Sequence, residues 1–100
     1  MNDKLKTTHK VWLITGASRG MGHAIMEAAL ADGDCVVAVS RRGDITTNIE
    51  DAASRLLPYA LDVTNTDQSA FDCMVDMVIQ KFGRIDVLVN NAGHGQFTYF

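Results

Sequence analysis

Cysteine is scarce and scattered in this 100-residue sequence. Cys35 and Cys73 lie far apart, with no C-x-x-C pair and no adjacent histidine, which excludes a disulfide framework or a zinc motif. Two reduced thiols serving as small apolar residues are what remains. His9, His23 and His94 are equally dispersed and form no metal-ligand pattern. Basic charge is short as well. Nine Lys and Arg against twelve Asp and Glu give a formal net charge of −3, which removes bulk attraction to nucleic acid or to an anionic membrane. Long hydrophobic runs are missing: the stretches Val36 to Val39 and Val87 to Val89 fall far below the ~20 residues a membrane span needs. Met1 to Lys10 is polar and lacks the apolar core of a secretory signal. The sequence thus predicts a soluble, cytoplasmic protein. With no repeat, linker or charge block, and with 47% hydrophobic and 21% charged residues, it predicts one domain with one core.

What is there alternates between two periods. Lys10 to Thr15 is a continuous apolar run that ends at Gly16, as a strand buried on both faces does. Met21, Ala24, Ile25, Ala28 and Ala29 then recur at helical spacing, with Gly33 where the helix should stop. Cys35 to Val39 is a second, β-branched strand. Asp44 to Arg55 has weak periodicity and reads as a loop leading into a short helix. Leu57 to Leu61 reads as a third strand with Pro58 at its beginning. From about Asp67 to Phe82 the residues Ala70, Phe71, Met74, Val75, Val78, Ile79 and Phe82 make one wide apolar face. Thr66 or Asp67 can cap that helix at its start and Gly83 at its end. Ile85 to Val89 is the fourth strand, and an apolar edge is expected beyond it. This β-α-β-α-β-α-β order predicts an α/β fold, a doubly wound parallel sheet with helices on both faces.

Ligands of such sheets bind at the carboxyl ends of the strands, so four turns carry the functional reading. The first, Gly16 to Gly22, spaces its glycines G-x-x-x-G-x-G, neither the G-x-G-x-x-G pattern nor a P-loop. Gly16 can take the chain out of the strand, Gly20 can bring the main chain close to a diphosphate, and Gly22 can let the helix pack tightly. The amides and positive dipole end of that helix then face the anion. Three glycines that only shape a tight turn are the plainer alternative. At the end of the second strand, where an acidic residue would hold the adenine ribose of NAD, stand Ser40, Arg41 and Arg42. A guanidinium suits a 2′-phosphate that a carboxylate would repel, and Arg19 can close on it from the glycine turn. NADP(H) is therefore expected in preference to NAD(H), against the alternative of solvated surface arginines. Asp62, in the third turn, can accept from the adenine amine or serve as an ordinary loop residue. The fourth turn, Asn90 to Gly93, can lie along the cofactor while its Asn amides tie strand ends together; an Asn-Gly turn signal is the competing account.

Together the Thr15 to Gly22 turn, Asp62-Val63 and Asn90-Asn91-Ala92-Gly93 resemble the short-chain dehydrogenase/reductase family, classical type. The resemblance implies the N-terminal part, residues 1–100, of a single NAD(P)-binding Rossmann-type domain. It places Gly16, Ser18, Arg19, Gly20, Met21 and Gly22 around the cofactor phosphates and Ser40 and Arg41 at the 2′-phosphate. Asp62 and Val63 fall at adenine, and Asn90, Ala92 and Gly93 near the nicotinamide ribose. His94, Gly95, Gln96 and Phe97 would begin a loop beside the substrate pocket. The stretches Arg55 to Val63 and Asn90 to Gly95 look most like the branch similar to 17β-hydroxysteroid dehydrogenases. The implied activity is hydride transfer between NADP(H) and a small-molecule secondary alcohol, ketone or aldehyde, in a homodimer or homotetramer. The family's catalytic Ser and Tyr-x-x-x-Lys pair are expected in a longer parent: Tyr59 has Val63 four positions on, and Tyr99 is the only other tyrosine. The second reading is a dinucleotide-binding module or sensor without chemistry.

Overall fold

The computed structural model describes residues 9–62, 67–91 and 96–99, the last of these as backbone. Strands β1 (Val11–Thr15), β2 (Cys35–Ser40), β3 (Leu56–Ala60), β4 (Val87–Asn90) and β5 (Gln96–Tyr99) form one sheet in the order β3-β2-β1-β4-β5. The first four are parallel. Helix α1 (Gly20–Ala31) joins β1 to β2, and α2 (Gln68–Phe82) lies between β3 and β4. Strand side chains alternate between the two faces, as a pleated strand requires. Ile14, Val36, Ala38 and Val89 pack with Met26 and Leu30 of α1, whereas Leu13, Val37 and Val39 pack with Met74 and Val78 of α2. The doubly wound, Rossmann-type class is thus present, and strand order reverses between β1 and β4. Leu13, 1% exposed, belongs to the kind of site where truncation to Ala costs about 2–5 kcal/mol.

Helix α2 starts and stops where the sequence predicts. Asp67 caps it by accepting from the Ala70 amide at 3.0 Å, and Gly83 closes it in the left-handed region at φ 86°. The apolar stripe of α1 is turned by one residue from the expected one. Its buried residues are Gly22, Met26, Ala29 and Leu30, while Met21 is 55% exposed and Ala24 and Ala28 face outward. This rotation turns Gly22 toward the preceding turn, where a side chain would not fit.

Three expectations are corrected. Residues 44–55 contain no helix; the chain runs irregularly along α1. His23 Nε2 donates to the Thr46 carbonyl (2.7 Å), the Asn48 amide donates to Glu27 (3.3 Å), and Ala52 is buried. These tertiary contacts satisfy the backbone that a helix would otherwise satisfy internally. Pro58 sits in the middle of β3 rather than at its start. Arg55 O and Leu61 N bond to β2, so by strand alternation Pro58 turns its nitrogen to the outer edge, where no hydrogen is needed. Finally, β4 is not a bare edge. β5 pairs with it antiparallel, Asn90 opposite Gln96 and Val89 opposite Phe97, which puts Gln96 and Phe97 in a strand instead of a loop. Unpaired strand amides and carbonyls of β4 take that partner.

The end of the sheet away from the ligand side is stitched by Asp34, which accepts from the Lys10 amide (3.0 Å) and Trp12 Nε1 (2.8 Å). Arg55 Nη1 donates to the Leu30 and Asp34 carbonyls, closing the last turn of α1 onto β3. Both cysteines are free; burial pushes the half-buried Cys35 thiol up from its ordinary pKa.

Candidate functional site

The carboxyl ends of β1 and β4 are bound to each other by side chains. Thr15 Oγ1 accepts from the Asn91 amide (3.0 Å), and its hydroxyl proton is shared between Asn90 Oδ1 (3.2 Å) and the Val89 carbonyl (3.4 Å). Asn91 Nδ2 donates to the Gly16 carbonyl at 3.3 Å. The Ala17 amide reaches across to the Val39 carbonyl of β2 (3.1 Å). The first turn is therefore held from both sides. Beneath it Gly22 meets the turn directly: a Cβ there would collide with the Gly16 carbonyl oxygen and stand 2.8 Å from Asn91 Nδ2. Gly20 differs. Its φ is +68°, and a Cβ would meet nothing within 4 Å, so the requirement is conformational and the space above it is open.

Helix α1 begins without a cap. Arg19 occupies the N-cap position with extended backbone, its side chain makes no capping hydrogen bond, and the first turn holds no acidic residue. Its first amides and the positive end of its dipole lie at the sheet's ligand side. Beside this helix end a cleft of about 280 Å³ is lined by Ser18, Arg19, Arg41, Arg42 and Asp44. All three arginines are exposed. At the end of β2, Ser40 is 6% exposed. Its hydroxyl accepts from the Gly43 amide (2.8 Å) and donates to Asp44 Oδ1 (3.0 Å). The Leu61 amide bonds to the Ser40 carbonyl, which brings half-buried Asp62 to the same rim.

A profile described as short chain dehydrogenase matches residues 10–100. The chain belongs to that family. Among its relatives, the oxidoreductase BOA17 of Botryotinia fuckeliana (strain B05.10) is 48% identical over 87 residues, which are 85% of this chain and 31% of that protein. The 3-oxoacyl-[acyl-carrier-protein] reductase FabG of Thermotoga maritima is 42% identical over 88 residues, 84% of this chain and 35% of that protein. A short-chain dehydrogenase from Streptomyces avermitilis has a similar solved structure, with a TM-score of 0.74 and 46% identity over 86% of this chain and 31% of that one. The chain spans about a third of the length of these relatives.

The structure brings Gly16, Ser18, Arg19, Gly20, Met21 and Gly22 to one mouth, with Arg41 across the cleft and Asn90 at the end of the neighbouring strand. Val63, Ala92 and Gly93 lie outside the described residues, as do His94 and Gly95. Thr15 and Asn91 hold the mouth together: the Asn91 amide ties the strand ends as the fourth turn leads one to expect, whereas Thr15 is given no such role by the sequence reading. Their signal was present: a hydroxyl immediately before the first glycine and a second Asn immediately after the fourth strand. Asp44 was missed because nothing local marks a carboxylate four positions beyond a strand as part of a basic cleft.

Proposed function

We propose that the whole protein is an NADP(H)-dependent oxidoreductase that transfers a hydride between the nicotinamide and a secondary alcohol, ketone or aldehyde. In this reading, residues 1–100 are the N-terminal, cofactor-binding part of a single Rossmann-type domain. The observation that carries it is the cleft itself. An uncapped helix end and three guanidinium groups face one space, and the end of β2 bears Ser40 where a carboxylate would hold an unphosphorylated ribose.

The residues present fit such a dinucleotide. The open space above Gly20 lets backbone amides approach a diphosphate, and the α1 dipole favours its charge. Arg41, with Arg19 opposite, offers forked donors to a 2′-phosphate. Asp62 stands on the adenine side. Asn90 lies on the nicotinamide side, and Thr15 and Asn91 hold the floor between them. When bound, the cofactor supplies or accepts the hydride. The group that protonates the carbonyl is assigned to a part of the protein outside this chain, since Tyr59 has Val63 where the paired lysine would stand. The substrate class covers both the 3-oxoacyl chemistry in the Thermotoga maritima relative's name and the hydroxysteroid branch suggested by residues 55–63 and 90–95. A cytoplasmic homodimer or homotetramer completes the proposal.

The test is Arg41→Asp in the full-length protein, with NADPH and NADH affinities measured by calorimetry. The expected result is roughly a 100-fold loss for NADPH with a much smaller change for NADH. Equal loss for both would rule out the phosphate clamp.

A further inference from the structure

We propose that Ser40 is a positioning residue that keeps the Asp44 carboxylate off the arginines, leaving them free for a phosphate. The inference rests on the cofactor reading above and adds to it a device that sets its selectivity.

A guanidinium binds a carboxylate by the same fork that it offers to a phosphate. Asp44 lines the same cleft as Arg19, Arg41 and Arg42, so it is a built-in competitor for them. Yet among the described residues no ion pair joins Asp44 to any of these arginines; the one Arg–carboxylate pair is Arg84–Asp86, at the opposite end of the sheet. Ser40 accounts for this. Its single hydroxyl proton goes to Asp44 Oδ1 at 3.0 Å, and its oxygen accepts from the Gly43 amide at 2.8 Å. Ser40 is almost fully buried, so water competes weakly for its hydroxyl. The main chain between them is pinned too. Gly43 has φ +71°, and a Cβ there would stand 3.3 Å from the Ala60 Cβ of β3. The exposed carboxylate is thereby fastened to the turn from which it projects. Ser40 aims its one hydroxyl proton at that carboxylate. Its contribution to selectivity runs through Asp44.

The experiment is a double-mutant cycle in the full-length protein, with NADPH and NADH affinities measured by calorimetry for wild type, S40A, D44N and S40A/D44N, and S40T as the conservative control. S40A releases the carboxylate to the guanidinium groups and weakens NADPH by about threefold to tenfold, with NADH within about twofold. D44N keeps an acceptor for Ser40 but has no charge, and binds NADPH as well as wild type or better. The double variant recovers the D44N affinity, and S40T retains the wild-type preference. Two results overturn the proposal: an S40A/D44N loss as large as that of S40A, which marks a direct serine–phosphate contact or a collapsed turn, or a D44N loss equal to that of S40A. Failure of the cofactor reading looks different, because Arg41→Asp would then affect NADPH and NADH alike.

Discussion

The two helices of this domain begin in opposite ways. Asp67 opens α2 and accepts from both the Ala70 amide and the Ser69 hydroxyl at 3.0 Å. Arg19 opens α1, also with extended backbone, yet caps nothing; neither helix has an acid in its first turn. A capping side chain satisfies amides that are otherwise orphaned at a helix start. At α2 the chain supplies that partner itself. At α1 it supplies none, and the cleft beside that helix end is lined by three arginines together with Ser18 and Asp44. On the proposed function, the difference separates a helix end capped for stability from one left open for a ligand, within one fold and one sheet.

The sharpest way to break the contrast is to give α1 the start that α2 has. Arg19→Asp places a carboxylate at an N-cap position whose backbone already suits a cap. It should raise the melting temperature by roughly 2–4 °C while weakening NADPH roughly 100-fold, since it removes a cation and puts an anion at the phosphates. A stability gain with unchanged cofactor affinity would show that this helix end is not the anion site. Gly22→Ala attacks the same end from below. The new methyl meets the Gly16 carbonyl oxygen, so the turn must shift. Overpacking of this kind costs about 1–3 kcal/mol, and NADPH and NADH should both weaken at least about tenfold. Thermal melts and calorimetry on the same preparation check both effects.

The same contrast marks how far the chain could be read without coordinates. The start of α2 was legible because its signals are local: Asp67 stands before an apolar stripe, and Gly83 follows it. The four parallel strands were legible as β-branched runs, and the mouth was legible as glycines between a strand and a helix. What was hidden depends on distant partners. The rotation of α1 turns Gly22 to the Gly16 turn, where a Cβ would collide with the Gly16 carbonyl oxygen; helical periodicity does not encode that fit, so Met21 is expected inside and lies outside. Residues 44–55 were expected to reach a helix, but His23 and Glu27 hold the chain along α1. The part played by Asp44 emerges only when the turn after β2 folds back to Ser40. The glycines and arginines that gather around the mouth and cleft could thus be named in advance. Of the hydrogen bonds around them, the Asn91 tie could be named as well, while those of Thr15 and of Ser40 with Asp44 could not.

The smallest effect belongs to α2, and it should leave the ligand side untouched. Asp67→Ala removes the cap and should lower the melting temperature by roughly 2–4 °C at pH 7, with NADPH affinity unchanged. Acid sharpens the assignment. The Ala70 amide, helped by the Ser69 hydroxyl, holds the Asp67 carboxyl below its ordinary pKa. A depressed folded pKa means that the stabilisation is whole above the unfolded value of about 3.9 and is lost as pH falls through the lower folded value. Asp86, held low chiefly by its hydrogen bonds from Arg84, titrates in the same region, but it does so in wild type and variant alike. The difference between the two melting temperatures therefore isolates Asp67. It should stay constant above about pH 5 and shrink steadily below pH 4. A difference that persists undiminished into acid would mean that Asp67 acts through its shape and not through its charge.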